Sequence, residues 1–224
     1  MAAHWGYGGH NGPEYWGNLD PAYVLCRTGR RQSPIDIAAA RHDPTIGPLG
    51  ADYKKTRLTL VNNGHTIQVN CEPGSRLAYG TQRYELLQFH FHSPSEHLIA
   101  GRAFGMEAHF VHRSAKGGAA VIGVLMTEGE ANPALAEFWE YVPAREATVP
   151  TNLALNPAEL LPRGVHFYAY EGSLTTPPCS ETVQWIVMKD PIEASRAQID
   201  RFRSLIGENA RPVQPLNDRE VIEF

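Results

Sequence analysis

The run from Tyr84 to His92 constrains the fold more than any other stretch of the chain. From Leu87 onward polar and apolar residues alternate strictly, with Gln88, His90 and His92 on one parity and Leu87, Phe89 and Phe91 on the other. In a β-strand alternate residues share a face, so the run reads as a strand with a polar, inward side and an apolar, outward side. Polar groups backed by aromatics are sheltered, and sheltered imidazoles need partners. A third histidine, His109, sits in a second alternating run, Glu107-Ala108-His109-Phe110-Val111, as it would on a neighbouring antiparallel strand.

Three imidazoles converging from adjacent strands, with no fourth protein ligand evident, describe a zinc site with one position left open. The ligands would be His90, His92 and His109. Gln88 and Glu107 each precede a histidine by two residues on the same face. They could therefore accept from the other ring nitrogens of His90 and His109. The plainer alternatives are a packing accident for the histidine pair and an ordinary strand-surface carboxylate for Glu107.

At 224 residues the chain reads as one domain over positions 1–224, with 42% hydrophobic and 20% charged residues. A formal net charge of −4 without any basic run argues against nucleic-acid binding. Nothing approaches eighteen consecutive apolar residues, so no membrane span is expected. The start Met1-Ala2-Ala3-His4-Trp5 carries no leader pattern. That leaves a cytosolic protein or a mature form whose signal peptide has been removed. The three cysteines, Cys26, Cys71 and Cys179, permit at most one internal bridge, and three reduced thiols is the simplest reading.

Gly and Pro (20 and 17) recur between short strand-like runs and predict a β-rich fold with many loops. Strands are expected at 58–61, 66–69, 84–92, 104–112, 119–126, 167–170 and 183–188. Two helices are expected. Asn132 caps the first, with Pro133 in its first turn and a stripe of Leu135, Phe138, Trp139 and Val142. Ser195 and Gln198 form a capping box for the second, followed by Ile199, Phe202 and Ile206 and stopped by Gly207. Both stripes read as core contacts.

Nine motifs in order give the chain an end-to-end likeness. They are His4-Trp5-Gly6-Tyr7, Gly12-Pro13-Glu14-Tyr15-Trp16, Arg31-Gln32-Ser33-Pro34-Ile35-Asp36-Ile37 and Asn62-Asn63-Gly64-His65. Then come Gln88 to His92, Ser95-Glu96-His97, Glu107 to His112, Gly172-Ser173-Leu174-Thr175-Thr176-Pro177-Pro178 and Arg211-Pro212-Val213-Gln214-Pro215-Leu216-Asn217. Together they resemble the α-class carbonic anhydrases, bacterial type. The resemblance implies a mainly β fold with peripheral helices, a single domain around a large, mostly antiparallel twisted sheet. It also implies zinc-hydroxide-catalysed, reversible hydration of carbon dioxide to bicarbonate and a proton. Water on such a zinc has a pKa of about 7, the value characteristic of carbonic anhydrases as a class.

The resemblance also distributes roles. It makes His90, His92 and His109 the zinc ligands and adds the Asn209 backbone carbonyl as the acceptor for His92. It implies that Thr175 donates to Glu96 and accepts from the zinc-bound hydroxide. It implies that His65 is the proton shuttle, where Asn-Gly alone would indicate an exposed turn histidine. Val111, Val121, Leu174, Thr176 and Trp185 would line the substrate niche. Tyr7, Asn63 and Gln68 would order the waters between metal and His65. Cys26 and Cys179 match the disulfide of secreted and bacterial members, worth roughly 5 kcal/mol in the chain-entropy model. That match favours a periplasmic or extracellular protein over a cytosolic one. Sulfonamides and anions are expected as inhibitors at zinc, and a homodimer is compatible with the bacterial relatives. Two rivals stand beside this reading: a cupin-type metal enzyme in which Glu96 is itself a ligand, and a catalytically silent binding module.

Overall fold

The alternating runs of the sequence pair side by side. A computed structural model describes residues 3–224; Met1 and Ala2, part of the stretch read for a leader, lie outside the described residues. Ten strands make the continuous path of a thirteen-stranded sheet. They are β1 (Arg41–His42), β2 (Thr56–Asn62), β3 (Ile67–Asn70), β4 (Gln82–His92) and β5 (Met106–Ser114). β6 (Ala119–Glu128), β7 (Ala147–Leu155), β8 (Phe167–Gly172), β9 (Val183–Met188) and β10 (Ile222–Glu223) follow. Across the sheet the order is β7-β2-β3-β4-β5-β6-β9-β8-β10-β1, antiparallel except at β6–β9 and β10–β1.

β4 lies at the middle of this order, between β3 and β5. Its aromatic face is the core face. Phe89 and Phe91 are fully buried with Ala108 and Phe110 of β5, Ile122 and Val124 of β6, and Leu135 and Phe138 of helix α1 (Pro133–Trp139). The apolar set expected to face outward thus faces the core, and the polar set opens onto a cleft. Leu87 departs from the expected alternation. The β4–β5 register shifts between Leu86 and Gln88, so Leu87 is an extra, bulged residue left 36% exposed while Leu86 takes the buried place.

The helices start where their caps direct. Asn132 accepts at Oδ1 from the N–H groups of Ala134 and Leu135 to open α1. Ser195 and Gln198 cap reciprocally to open α2 (Arg196–Ile206), and Gly207 at φ +82° ends it. Trp139 of α1 stacks on Phe202 of α2 at 6.2 Å between ring centroids, joining both helices to the core. Cys26 and Cys179 are disulfide-bonded across 153 residues of sequence. Cys71 is free and half-buried, and burial pushes its thiol up to about 12. Among the described residues no helix is long and apolar enough to cross a membrane.

Candidate metal centre and active site

Strand register converges the three histidines. His90 of β4 lies directly opposite His109 of β5, and His92 shares the face of His90. The ring centroids are 5.1 Å apart for His90–His92, 5.3 Å for His90–His109 and 4.5 Å for His92–His109. One nitrogen of each ring is already engaged. His90 Nδ1 is 2.9 Å from Gln88 Oε1, His92 Nδ1 is 2.8 Å from the Asn209 carbonyl, and His109 Nε2 is 2.9 Å from Glu107 Oε1. These acceptors fix the protons on those nitrogens and leave Nε2, Nε2 and Nδ1 as lone pairs. Ligand atoms of the three residues lie within 4.8 Å of one another. Nε2 of His92 is buried with no hydrogen-bond partner, an orphan that a metal ion would satisfy. The donor set fits Zn²⁺.

Burial also keeps the rings neutral, as ligation requires. It lowers the His90 pKa well below the ordinary range, with His92 and His109 adding to the effect against Glu107. His92 falls to about 4 through burial, opposed by the Asn209 carbonyl and Glu107. His109 is lowered by burial despite Glu107 beside it.

Glu107 is fully buried. Burial alone would raise its pKa, but His97 and His109 hold it well below the usual range. Its oxygens accept from His97 Nδ1 at 2.7 Å, from the backbone N–H of His97 at 2.8 Å and from that of Glu96 at 2.9 Å. His97, Glu107 and His109 thus form a second compact group of potential ligands. They are hydrogen-bonded to one another, which consumes the lone pairs a metal would need. His97 continues outward to the Tyr170 hydroxyl at 2.7 Å.

Glu96 is the other buried carboxylate, and burial pushes it up to about 7 against the pull of His109, the Arg211 N–H and the Thr175 hydroxyl. Its Oε1 accepts from the Arg211 N–H at 2.9 Å, whereas Oε2 has no hydrogen-bond partner of good geometry. Thr175 is therefore beside the carboxylate without a well-aligned bond to it. Glu96 does not belong to the three-histidine group, although its Oε2 lies 3.9 Å from His109 Nδ1.

A cavity of about 200 Å³ opens over His90 and His92, lined by Tyr7, Asn63, His65, Gln68, Gln88, His90, His92, Val111, Leu174 and Thr176, with Trp5 and Thr66. Val121 and Trp185 lie deeper. Val111, Val121 and Trp185 stand side by side on β5, β6 and β9, and the latter two are only 2% exposed. His65 follows Gly64 in the turn between β2 and β3, and its ring stacks flat on Trp5 with centroids 3.9 Å apart. Asn63 builds that turn, its Oδ1 accepting from the N–H groups of His65 and Thr66 at 3.0 and 2.9 Å. Gln68 donates to Asn70 Oδ1 at 2.7 Å. A larger cleft of about 510 Å³ elsewhere is lined by Arg30, Arg31, Glu171, Asp218 and other polar residues, several of them ion-paired, and holds none of these histidines.

The model of the eukaryotic-type carbonic anhydrases matches residues 11–224. The chain belongs to the α-carbonic anhydrase family. It is 49% identical to a carbonic anhydrase of Nostoc sp. over 98% of this chain and 85% of that protein. Among solved structures, a hyperthermostable carbonic anhydrase from a hydrothermal vent chimney superposes with a TM-score of 0.96 at 45% identity, covering 99% of this chain and all of that one. The α-carbonic anhydrase of Thermovibrio ammonificans, solved with sulfanilamide, gives 0.95 at 44% identity over 99% of this chain and all of that one. The carbonic anhydrase reaction of this family, reversible hydration of carbon dioxide to bicarbonate and a proton, is the activity of this chain.

Sequence reasoning assigns no role to Trp5, His97 or Arg211, although all three lie in the motifs quoted above. Trp5 is marked by its aromatic neighbours only, His97 sits outside any strand periodicity, and Arg211 appears only within the proline-rich motif 211–217.

Proposed function

We propose that carbon dioxide is hydrated at a zinc ion held by His90 Nε2, His92 Nε2 and His109 Nδ1, with His65 moving the proton out. The observation that carries this reading is the convergence of three buried, neutral imidazole lone pairs whose opposite nitrogens are all committed to acceptors. Bound there, zinc supplies Lewis acidity, bringing the pKa of water to about 7, the value known for carbonic anhydrases as a class.

The protein groups divide the remaining work. Gln88, Glu107 and the Asn209 carbonyl orient the ligand rings and raise their basicity. Glu96 acts as an acceptor for the Thr175 hydroxyl proton. Committed in this way, the Thr175 oxygen can only accept, so it favours a partner that brings a proton of its own. Val111, Leu174 and Thr176, backed by Val121 and Trp185, give apolar carbon dioxide a niche with few competing hydrogen bonds. His65 takes the proton across the cavity past Tyr7, Asn63 and Gln68, because an imidazole is the side chain that changes charge near neutral pH. Sulfonamides and simple anions would compete at the metal. Residues 1–224 act as one catalytic domain, and the Cys26–Cys179 bridge supports a periplasmic or extracellular location.

The test is stopped-flow carbon dioxide hydration by zinc-assayed protein from pH 6 to 9. A fast rate rising through a pKa near 7 is expected, and His109→Ala should lose both zinc and activity. Full activity of His109→Ala would overturn the ligand assignment. An inert wild-type protein with zinc bound would leave a silent binding module.

A further inference from the structure

Two of the backbone groups that hold the site come from a stretch with no regular structure. Residues 207–216, after α2, form neither helix nor strand, so no ladder of hydrogen bonds fixes them. Yet the Asn209 carbonyl accepts from His92 Nδ1, and two residues on the Arg211 N–H donates to Glu96 Oε1. Isolated backbone bonds tie it at two points, from the Asn209 N–H to the Ser93 carbonyl at 3.1 Å and from the Gln214 N–H to the Pro34 carbonyl at 2.8 Å, and side chains supply two further anchors. Asn209 is one anchor: its Oδ1 accepts from the Ser93 N–H at 2.8 Å, and its Nδ2 donates to the carbonyls of His65 and Phe91.

Arg211 is the other. Its side chain is almost fully buried, at 2% exposure, over the face of Trp16, and it makes no salt bridge among the described residues. Nη1 donates to Gln32 Oε1 at 2.9 Å and to the Ser33 carbonyl at 2.7 Å, while Nη2 donates to the Cys26 carbonyl at 3.1 Å. Gln32 in turn donates from Nε2 to the Cys179 carbonyl at 3.0 Å. A hydrogen-bonded Arg–Gln pair therefore grips the backbone of both bridged cysteines. A buried guanidinium with no carboxylate partner is an expensive way to gain stability, and its fixed planar fork suits several acceptors at once.

We propose that Arg211 is a positioning residue of the carbonic anhydrase reaction: its guanidinium anchors segment 209–211 to the disulfide-linked part of the fold. Its own N–H and the Asn209 carbonyl are thereby held on Glu96 and His92. The inference rests on the reading of Glu96 and His92 given above. It concerns geometry, and the neutral stem of a methionine cannot replace the fork.

Arg211→Met and Arg211→Lys should be compared with Leu160→Ala, a cavity variant in the remote core that lowers the melting temperature without touching the site. Zinc affinity by chelator competition is expected to fall about tenfold in Arg211→Met, a loss in the range known for outer partners of metal ligands. The kcat/KM per bound zinc should fall by a similar factor, with Arg211→Lys in between and Leu160→Ala unchanged in both. Loss of thermal stability in the Arg211 variants with zinc affinity and kcat/KM intact would reduce Arg211 to a structural residue. If Arg211→Met fails to fold, Arg211→Lys decides, and wild-type affinity and kcat/KM in it would overturn the proposal. Glu96→Gln measured alongside separates the two levels. Full kcat/KM in Glu96→Gln would sink the reading of Glu96 itself, and a loss there with Arg211 variants unaffected would sink only the role of Arg211.

Discussion

His65 shows how one side chain is tuned by what surrounds it. The ring is half-buried against Trp5, and burial lowers its pKa below the ordinary histidine value, with His4 adding to the effect and Glu146 opposing it. In the proposed role of proton shuttle, His65 would work in both of its charge states, and its contribution to turnover would follow its own titration. The neutral form must be present to receive the proton, and lowering the pKa extends that form toward acid. The acid limb of kcat against pH is therefore expected to have its midpoint below 6.5. His65→Ala should lower kcat by about tenfold or more while sparing kcat/KM, since proton export follows the hydration step. Stopped-flow and isotope-exchange measurements in weak buffer separate the two parameters. An equal loss in both would assign His65 to the hydration step instead.

Elements place those residues, and the turn between β2 and β3 is the most exacting of them. Gly64 has φ +80°, and a Cβ there would come within 2.7 Å of Glu146 Oε1. A left-handed non-glycine residue costs roughly 1–2 kcal/mol. Gly64→Ala should accordingly destabilise the fold by about that much in urea unfolding and lower kcat by shifting His65, with kcat/KM less affected. A stability equal to wild type would mean the turn relaxes freely. This turn is legible as Asn63-Gly64, just as alternation makes the His90–His109 facing and the polar side of β4 legible. Alternation is a local signal, and it fails where local rules are overridden. The bulge at Leu87 arises from pairing with β5, which no stretch of β4 encodes by itself. β7 is hidden from such a reading because it is a mostly exposed edge strand carrying Pro150, and edge strands keep proline and lose the apolar parity. The roles of His97 and Arg211 are illegible for a related reason. Each is defined by partners far away in sequence, Tyr170 for one and Cys26 and Gln32 for the other.

The whole molecule carries two global consequences of its buried polar groups and long-range bridge. His112 is fully buried, its Nδ1 donating to the Ala120 carbonyl at 3.1 Å and its Nε2 paired with the Tyr53 hydroxyl at 2.6 Å. Burial lowers its pKa from 6.5 to about 4, opposed by the carbonyls of Ala120 and Phe110. The folded state thus resists the proton that the unfolded chain accepts. Stability from this group is complete above pH 6.5, declines as pH falls, and is lost by about pH 4, a span worth about 3 kcal/mol. In metal-free protein, His112→Gln should flatten the fall of unfolding free energy between pH 6.5 and 4 by up to about 1.4 kcal/mol per pH unit. An unchanged slope would locate the acid sensitivity elsewhere. The disulfide acts on the opposite side of the equilibrium. Cys26 and Cys179 are 153 residues apart in sequence, so the bridge removes a large part of the unfolded chain's freedom, roughly 5 kcal/mol in the chain-entropy model. Reduction in zinc-loaded protein should therefore lower the melting temperature by about ten degrees or more, at about 3 °C for each kcal/mol in a chain of this size. A melting point unmoved by reductant, with free thiols verified by mass, would show that the unfolded chain is already confined by other means. The bridged residues are also those gripped by Arg211 and Gln32. If Arg211 anchors the site as proposed, reduction should loosen zinc binding before it unfolds the protein, and zinc release should precede the loss of far-ultraviolet dichroism on heating.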